Sequence, residues 1–252
     1  TYSFLKKDNV ISLFDDRIIP KKKIKKTHTT YKEIIKKEFD CIIISPGIDI
    51  NKCKLSRFLK KNRKKIYTDL DIFYSQYADN QKITITGTNG KSTTAKLLYD
   101  ILKDQKKDVR LVGNIGNPIL LEKKIKKDTL FVVEASSYQL EYSRLFKTNI
   151  SIILNIAPDH LERHKTINKY VSAKFKLIKN QSKIDIAILN TKNVYIKIEL
   201  KQKNFEPSIL KTEKYTSHKF IKTIDNHYFD TDVNKATLTF VMRNSKPISN
   251  TT

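Results

Sequence analysis

The sequence predicts an α/β fold with mainly parallel sheets, and three observations carry that prediction. Short runs rich in Ile and Val recur along the chain. They are nearly continuous rather than alternating, which is the pattern of strands buried on both faces. Longer helical patterns lie between them, as in βαβ units with right-handed crossovers. Polar turns, several of them bearing glycine, follow the runs, and open α/β sheets gather ligands beyond the carboxyl ends of their strands.

The elements follow in order. Val10-Ile11-Ser12-Leu13-Phe14 is the first candidate strand, ending at Asp15-Asp16-Arg17. Cys41 to Ser45 is the second, ending at Pro46-Gly47, and Lys82 to Thr86 is the third, running into Gly87. Asp108 to Val112, Leu130 to Glu134, Ile150 to Asn155 and Ile184 to Leu189 complete the set. Helical patterns cover Lys91–Gln105 and Thr166–Gln181. The polar turn Tyr77-Ala78-Asp79-Asn80 precedes a fresh strand–loop–helix unit and sets the expected boundary between a domain over 1–77 and one over 78–252. The tail beyond Asn190 is lysine-rich and weakly patterned, with no internal repeat. The chain opens on Thr1 inside what reads as a helix tail and closes at Asn250-Thr251-Thr252 without a compact last element, so both ends read as cut.

At about 100–200 residues per domain, 252 residues suggest one large or two ordinary domains. An apolar share of 39% and a charged share of 30% fit a packed core and exclude a disordered or collagen-like chain. No apolar run approaches the roughly 18 residues of a membrane span, and no signal peptide is visible. Cys41 and Cys53 show neither CxxC nor zinc spacing, and Cys41 opens an apolar run, so it reads as a buried small hydrophobe in a reducing, cytoplasmic setting. The net charge of +24 invites a nucleic-acid or anionic-membrane partner. Against that, 43 Lys stand beside only 7 Arg, with 34 Ile and 18 Asn. Nucleic-acid surfaces lean on Arg for bidentate contacts, so this balance fits a coding bias better.

Thr84-Ile85-Thr86-Gly87-Thr88-Asn89-Gly90-Lys91-Ser92-Thr93 is the most informative stretch. A buried strand runs into a tight turn and then a helix. Gly87 and Gly90 let backbone N–H groups approach an anion, and the helix N-terminus near Lys91 adds its positive end. Lys91 would face the β- and γ-phosphates of a nucleotide, and Ser92 or Thr93 would offer a hydroxyl to Mg²⁺. The longer GxxxxGK[ST] pattern needs glycine where Ile85 stands, so this is a shorter GxxGKS form. Only 5 Gly occur in the chain, which makes a chance glycine turn here a poor explanation.

Gly113-Asn114-Ile115-Gly116-Asn117-Pro118, Glu134 to Glu141 and Asp159 to His164 also follow strands and would converge on the same crevice. Glu134 near a phosphate loop suits a hard Mg²⁺ ion, or else it is a helix N-cap acid. His160 is a metal ligand, a general base or a plain loop histidine, and Asp159 with Arg163 could form a local ion pair. Lys174 lies on the stripe of Ile167, Tyr170, Val171, Leu177 and Ile178. A buried lysine there must be paired, modified or snorkelling.

GTNGKST, GNIGNP, VVEASSYQLE, NIAPDHLERH and YVSAK, in this order, resemble the D-glutamate-adding branch of the Mur ligase family. The resemblance runs from about Thr1 to Asn190. It implies a Rossmann-like first domain and a P-loop ATPase-type central domain. It further implies an ATP-dependent ligase that adds D-glutamate to UDP-N-acetylmuramoyl-L-alanine through an acyl phosphate, in peptidoglycan precursor synthesis. Under it, Gly87, Thr88, Asn89, Gly90, Lys91, Ser92 and Thr93 hold ATP, and Lys91, Glu134, His160 and Lys174 are catalytic. Ser92, Glu134, His160 and a carbamylated Lys174 hold Mg²⁺. Asp15, Asp16, Arg17, Ser45, Pro46, Gly47, Asn114, Ser136 and Gln139 contact the UDP-sugar substrate. The family's N-terminal glycine-rich turn and C-terminal domain are not found in this sequence. The resemblance therefore also allows a fragment that binds nucleotide without turnover. A monomer with no nucleic-acid or membrane partner is expected.

Overall fold

A computed structural model describes residues 1–15 and 29–211. The expected contacts Asp16 and Arg17 lie outside the described residues.

Two parallel sheets are present among the described residues. The small one pairs β1 (Ile42–Ile43) with β2 (Ile66–Tyr67), Ile42 opposite Ile66. Helix α1 (Tyr2–Leu5) precedes it, with Phe4 reaching a core of the main sheet. Helix α2 (Tyr31–Ile34) starts at a capping box, in which Thr30 and Glu33 each satisfy the other's backbone N–H. With α3 (Ser56–Lys61) these elements enclose Ile34, Ile44, Ile50, Leu55, Leu59 and Ile66.

Helix α4 (Asp69–Gln76) leads into the main sheet. Its strands are β3 (Lys82–Thr86), β4 (Val109–Gly113), β5 (Leu130–Glu134), β6 (Ile150–Ile153), β7 (Ile186–Leu189) and β8 (Ser208–Lys211). They lie in the order β4-β5-β3-β6-β7-β8, every neighbouring pair parallel. The helices are α5 (Lys91–Asp104), α6 (Ser137–Tyr142), α7 (Leu161–His164), α8 (Ile167–Lys179) and α9 (Val194–Gln202).

The continuous apolar runs are explained by cover on both faces. Ile85, Val132, Ile152 and Ile188 pack on one side with Ala95, Leu98 and Leu102 of α5. On the other, Phe131 and Val133 meet Leu70 and Phe73 of α4, Leu140 of α6 and Leu177 of α8. Ile153, Ala187 and Leu189 meet Tyr170, Val171, Phe175 and Ile178 of α8 and Ile196 of α9. Phe175, absent from the expected stripe of α8, is buried because that helix is covered on a second side by Phe205, with ring centroids 5.4 Å apart.

Four expectations need correction. Val10–Phe14 is not a strand: within it only Leu13 forms a bridge, accepting from Thr29 N–H at 2.7 Å, and Val10 is fully exposed. Cys41–Ser45 yields a ladder of two residues because β2 offers only Ile66 and Tyr67 as partners. Cys41 is exposed rather than buried, since it precedes that ladder. The tail beyond Asn190 holds α9, capped by Asn193, and β8, which lies at one edge of the main sheet among the described residues.

Two buried charges fasten α4 to the main sheet. Asp71 is fully buried. Its Oδ1 accepts from Ser143 Oγ and from the backbone N–H groups of Arg144, Leu145 and Phe146, all at 2.8–3.0 Å. Its Oδ2 accepts from Thr68 N–H and Oγ1. Lys82, 1% exposed, donates to the carbonyls of Tyr77, Ala78 and Asn80 just past the C-terminus of α4. Burial pulls the pKa of that amine down to about 8.

Asp71→Ala leaves four backbone N–H groups, three of them consecutive, and two hydroxyls without their acceptor. At roughly 1–3 kcal/mol per stranded buried donor, partly relieved by water, a loss of about 3 kcal/mol is expected. A lowered urea midpoint with an unchanged slope checks it.

Candidate functional site

The strand order reverses direction around β3: the chain goes outward to β4 and β5 on one side and to β6, β7 and β8 on the other. The carboxyl ends of β5, β3 and β6 therefore lie side by side at a switch point, the usual ligand crevice of open α/β sheets. The loops after these three strands carry Gly87–Thr93, Glu134 to Gln139 and Asn155 to His160.

The glycine loop is pinned to the loop after β6. Thr88 N–H donates to Asn155 O at 3.0 Å and Asn89 N–H to Asn155 Oδ1 at 2.9 Å, while Asn155 Nδ2 returns a bond to Asn89 O. Thr88 Oγ1 accepts from Ala157 N–H and lies 3.1 Å from the Tyr170 hydroxyl. Gly90 caps α5 at φ 80°, which a side chain would strain. Lys91 Nζ donates to Gly87 O and Thr88 O. Ser92 and Thr93 are exposed at the first turn of α5.

Lys174 is buried, and its Nζ donates to Gly87 O at 2.7 Å, so two lysines share one loop carbonyl. The ammonium also stands 4.6 Å from the centre of the Tyr170 ring. Burial first, and the Lys91 charge second, pull its pKa down to about 7, with Asp159 opposing. Snorkelling is excluded by its 1% exposure.

Glu134 is fully buried at the end of β5. Asn114 Nδ2 donates to its Oε1 at 2.9 Å, and Asn114 N–H to its carbonyl. Its Oε2 is buried with no hydrogen-bond partner, and so is Thr86 Oγ1 at the end of the adjacent β3. Native folds rarely strand such atoms, least of all a carboxylate oxygen, so a cation fits there. The N-cap alternative for Glu134 fails: Ser136 caps α6. Gly113 at φ 107° keeps β4 close, since a Cβ there would come within 2.3 Å of Glu134 O.

The other expected residues take these places. Ser136 and Gln139 form the capping box of α6, which occupies Ser136 Oγ and Gln139 Oε1. His160 is exposed at φ 54°, with its ring 5.0 Å from that of Tyr138 and its nitrogens 3.5 Å from Asp159 and 3.8 Å from Glu162. Asp159 thus lies against the His160 ring rather than Arg163, whereas Arg163 pairs with Glu141 at 2.9 Å. Ser45, Pro46 and Gly47 follow β1, and Asp15 stands at the edge of the described residues. Among the described residues, no three His, Cys, Asp or Glu side chains cluster as a metal site.

Two residues near the site carry no sequence signal of their own. His164 is buried, with Nε2 3.0 Å from Ser137 Oγ, and burial pulls its pKa down. Tyr138 lies between the two histidine rings, 5.0 and 5.6 Å from them. A separate cavity of about 670 Å³ is walled by Lys60, Lys61, Arg63, Lys64, Lys65 and Lys176 with Tyr142 and Arg144; it includes no residue of the glycine loop.

The profile of the Mur ligase middle domain matches residues 85–248. Proteins named UDP-N-acetylmuramoylalanine–D-glutamate ligase are similar: that of Lachnoclostridium phytofermentans is 38% identical over 65% of this chain and 36% of its own length. That of Caldicellulosiruptor bescii is 40% identical over 60% of this chain and 33% of its own. The chain thus spans about a third of the length of these relatives. Among solved structures, a UDP-N-acetylmuramate:L-alanyl-gamma-D-glutamyl-meso-diaminopimelate ligase from Neisseria meningitides aligns with TM-score 0.50 at 13% identity, over 68% of this chain and 58% of its own; it shares the fold. No helix among the described residues is long and apolar enough to cross a membrane.

The buried amine of Lys174 gives a pH signature. Its folded pKa of about 7 lies below the ordinary 10.5, so between those values the unfolded chain binds the extra proton. Stability therefore rises with pH over that window. Lys174→Met is expected to flatten the rise in urea midpoint between pH 7 and 9.5, Lys82 contributing equally to both proteins. Parallel pH profiles would contradict the low pKa.

Proposed function

This chain belongs to the Mur ligase family by its middle domain, and we propose that it forms the nucleotide-binding part of an ATP-dependent ligase. The reaction adds D-glutamate to UDP-N-acetylmuramoyl-L-alanine in peptidoglycan precursor synthesis. The observation that carries the reading is the stranded Glu134 Oε2, buried at the switch point beside the Gly87–Thr93 loop. The named relatives, at 38% and 40% identity, direct the choice of substrates.

In this reading residues 1–77 bind the UDP-sugar and 78–252 bind ATP, with α4 seated on the main sheet as the joint. With the Thr88 and Asn89 N–H groups held by Asn155, the remaining backbone N–H groups of the Gly87–Thr93 loop and the start of α5 cradle the phosphates. Lys91 leaves its loop carbonyls for the β- and γ-phosphates. Ser92, Glu134, His160 and a carbamylated Lys174 would hold Mg²⁺, which neutralises charge on the transferring phosphoryl group. Lys174 suits carbamylation because its amine is half neutral near pH 7. A neutral amine adds CO₂ and loses one proton, which turns a buried cation into an anion facing the loop. Asn114 holds Glu134 in place. Asp15, Asp16, Arg17, Ser45, Pro46, Gly47, Asn114, Ser136 and Gln139 would lie along the UDP-sugar. The substrate carboxylate accepts the γ-phosphoryl group; the amine of D-glutamate then displaces phosphate from the acyl phosphate. We read the protein as a cytoplasmic monomer that needs neither nucleic acid nor membrane. A second reading, nucleotide binding without turnover by this chain alone, is favoured by its one-third coverage of the relatives.

The test is phosphate release with ATP, D-glutamate and UDP-N-acetylmuramoyl-L-alanine by the full-length protein and by this chain. Turnover by the first but not the second supports both readings. Full-length protein that never turns over sinks the ligase. Lys91→Ala is expected to lower kcat/KM by roughly 10²–10³-fold, as for loss of one charge-stabilising donor. Lys174→Ala is expected to abolish activity, with partial rescue by bicarbonate or acetate; full activity would end the carbamate reading.

A further inference from the structure

Arg163 is the described side chain that ties the small-sheet unit to the turn carrying His160. It sits on α7, three residues after His160, and its side chain is 8% exposed. Nε and Nη2 both lie 2.9 Å from Glu141 Oε2 on α6, a two-pronged pairing with one carboxylate oxygen. Nη2 also donates to Ile48 O at 2.6 Å and Nη1 to Gly47 O at 3.3 Å, in the loop after β1. The guanidinium is flanked by the rings of Tyr138 at 5.3 Å and Tyr142 at 5.6 Å. Tyr142 binds the same loop, its hydroxyl accepting from Ile50 N–H at 3.4 Å. Tyr138 in turn contacts the His160 ring.

This arrangement uses the properties that separate arginine from lysine: a planar fork of donors and a face that stacks on aromatic rings. A lysine ammonium could reach one of these acceptors but not all three while lying between two rings. The charge is matched by Glu141, so the +24 of the chain is not what holds it there.

We propose that Arg163 is a positioning residue that locks the Ser45–Ile48 loop to the His160 turn, keeping the UDP-sugar end and the phosphoryl-transfer end of the crevice in register. It rests on the ligase reading for the identity of the two ends, and on the geometry alone for the lock. Arg163 acts through the loop carbonyls on one side and through α7 and Tyr138 on the other. Movement of the loop is thereby felt at His160.

The test uses the full-length protein and Arg163→Lys, with Glu141→Gln as a second variant that removes the charge partner and leaves the arginine. In Arg163→Lys, KM for the UDP-sugar is expected to rise roughly 10-fold while KM for ATP stays within about twofold. Amide hydrogen exchange is expected to quicken in the segments around 44–50 and 158–164 and to stay at wild-type rates in β3, β5 and β6. Glu141→Gln is expected to shift the same quantities less. An unchanged KM for the UDP-sugar with unchanged exchange overturns the lock. So does a variant whose exchange quickens throughout the sheet, which marks a general packing role. If the wild-type protein shows no turnover the ligase reading fails, and exchange at the two segments still decides the lock.

Discussion

Strand β3 is paired on both edges, Ile83 standing opposite Val132 on one side and Ile150 on the other. That double pairing is the constraint from which the site follows. Because all three strands point the same way, their carboxyl ends coincide, and the loops that leave them must share one space. The glycine loop, the end of β5 and the Asn155–His160 loop are then neighbours without any contact between them having to be specified in sequence. The hydrogen bonds from Thr88 and Asn89 to Asn155 refine a proximity that the ladder has already imposed. Cover on both faces follows as well, since a parallel sheet needs helical crossovers and each crossover brings an apolar stripe.

The main sheet was readable because its signals were local and redundant. Lys82–Thr86 and Leu130–Glu134 are runs whose every second residue faces a different helix layer, and such runs have few other homes. The first unit was harder. Its strands make a ladder of two residues, so Val10–Phe14 and Cys41–Ser45 show strand composition with little backbone pairing to match. Beyond Asn190, scattered lysines interrupt the apolar residues of α9 and β8, and among the apolar residues of these two elements Ile196 alone is fully buried.

The site residues divide in the same manner. Gly87, Gly90 and Lys91 announce themselves, because a phosphate-binding turn needs particular residue types at particular places. Lys174 was legible as an anomaly of pattern, a charge on an apolar stripe, and its burial bears that out. Asp71, Lys82 and His164 gave no such signal, and Arg163 showed only as a candidate partner for Asp159. Each earns its place through partners distant in sequence: the backbone around 144–146, the carbonyls past α4, Ser137, and the loop after β1. A one-dimensional pattern holds periodicity and turn chemistry, but not which remote carbonyl a guanidinium will meet. The basic cavity near Lys60–Lys65 shows the opposite failing, since abundant charge there lies apart from the glycine loop.

Helix α7 is a single turn bracketed by two non-glycine residues in left-handed backbone, His160 at φ 54° and Lys165 at φ 70°. For an ordinary side chain that conformation costs about 1–2 kcal/mol relative to the right-handed one. Glycine at position 160 would remove the cost and would make a more relaxed hinge. A histidine there accepts a less stable turn in exchange for an imidazole aimed from it. Under the proposed ligase reading, stability and chemistry pull in opposite directions at this one residue. A selection run for thermal tolerance alone would drift toward glycine at 160 and lose the ring.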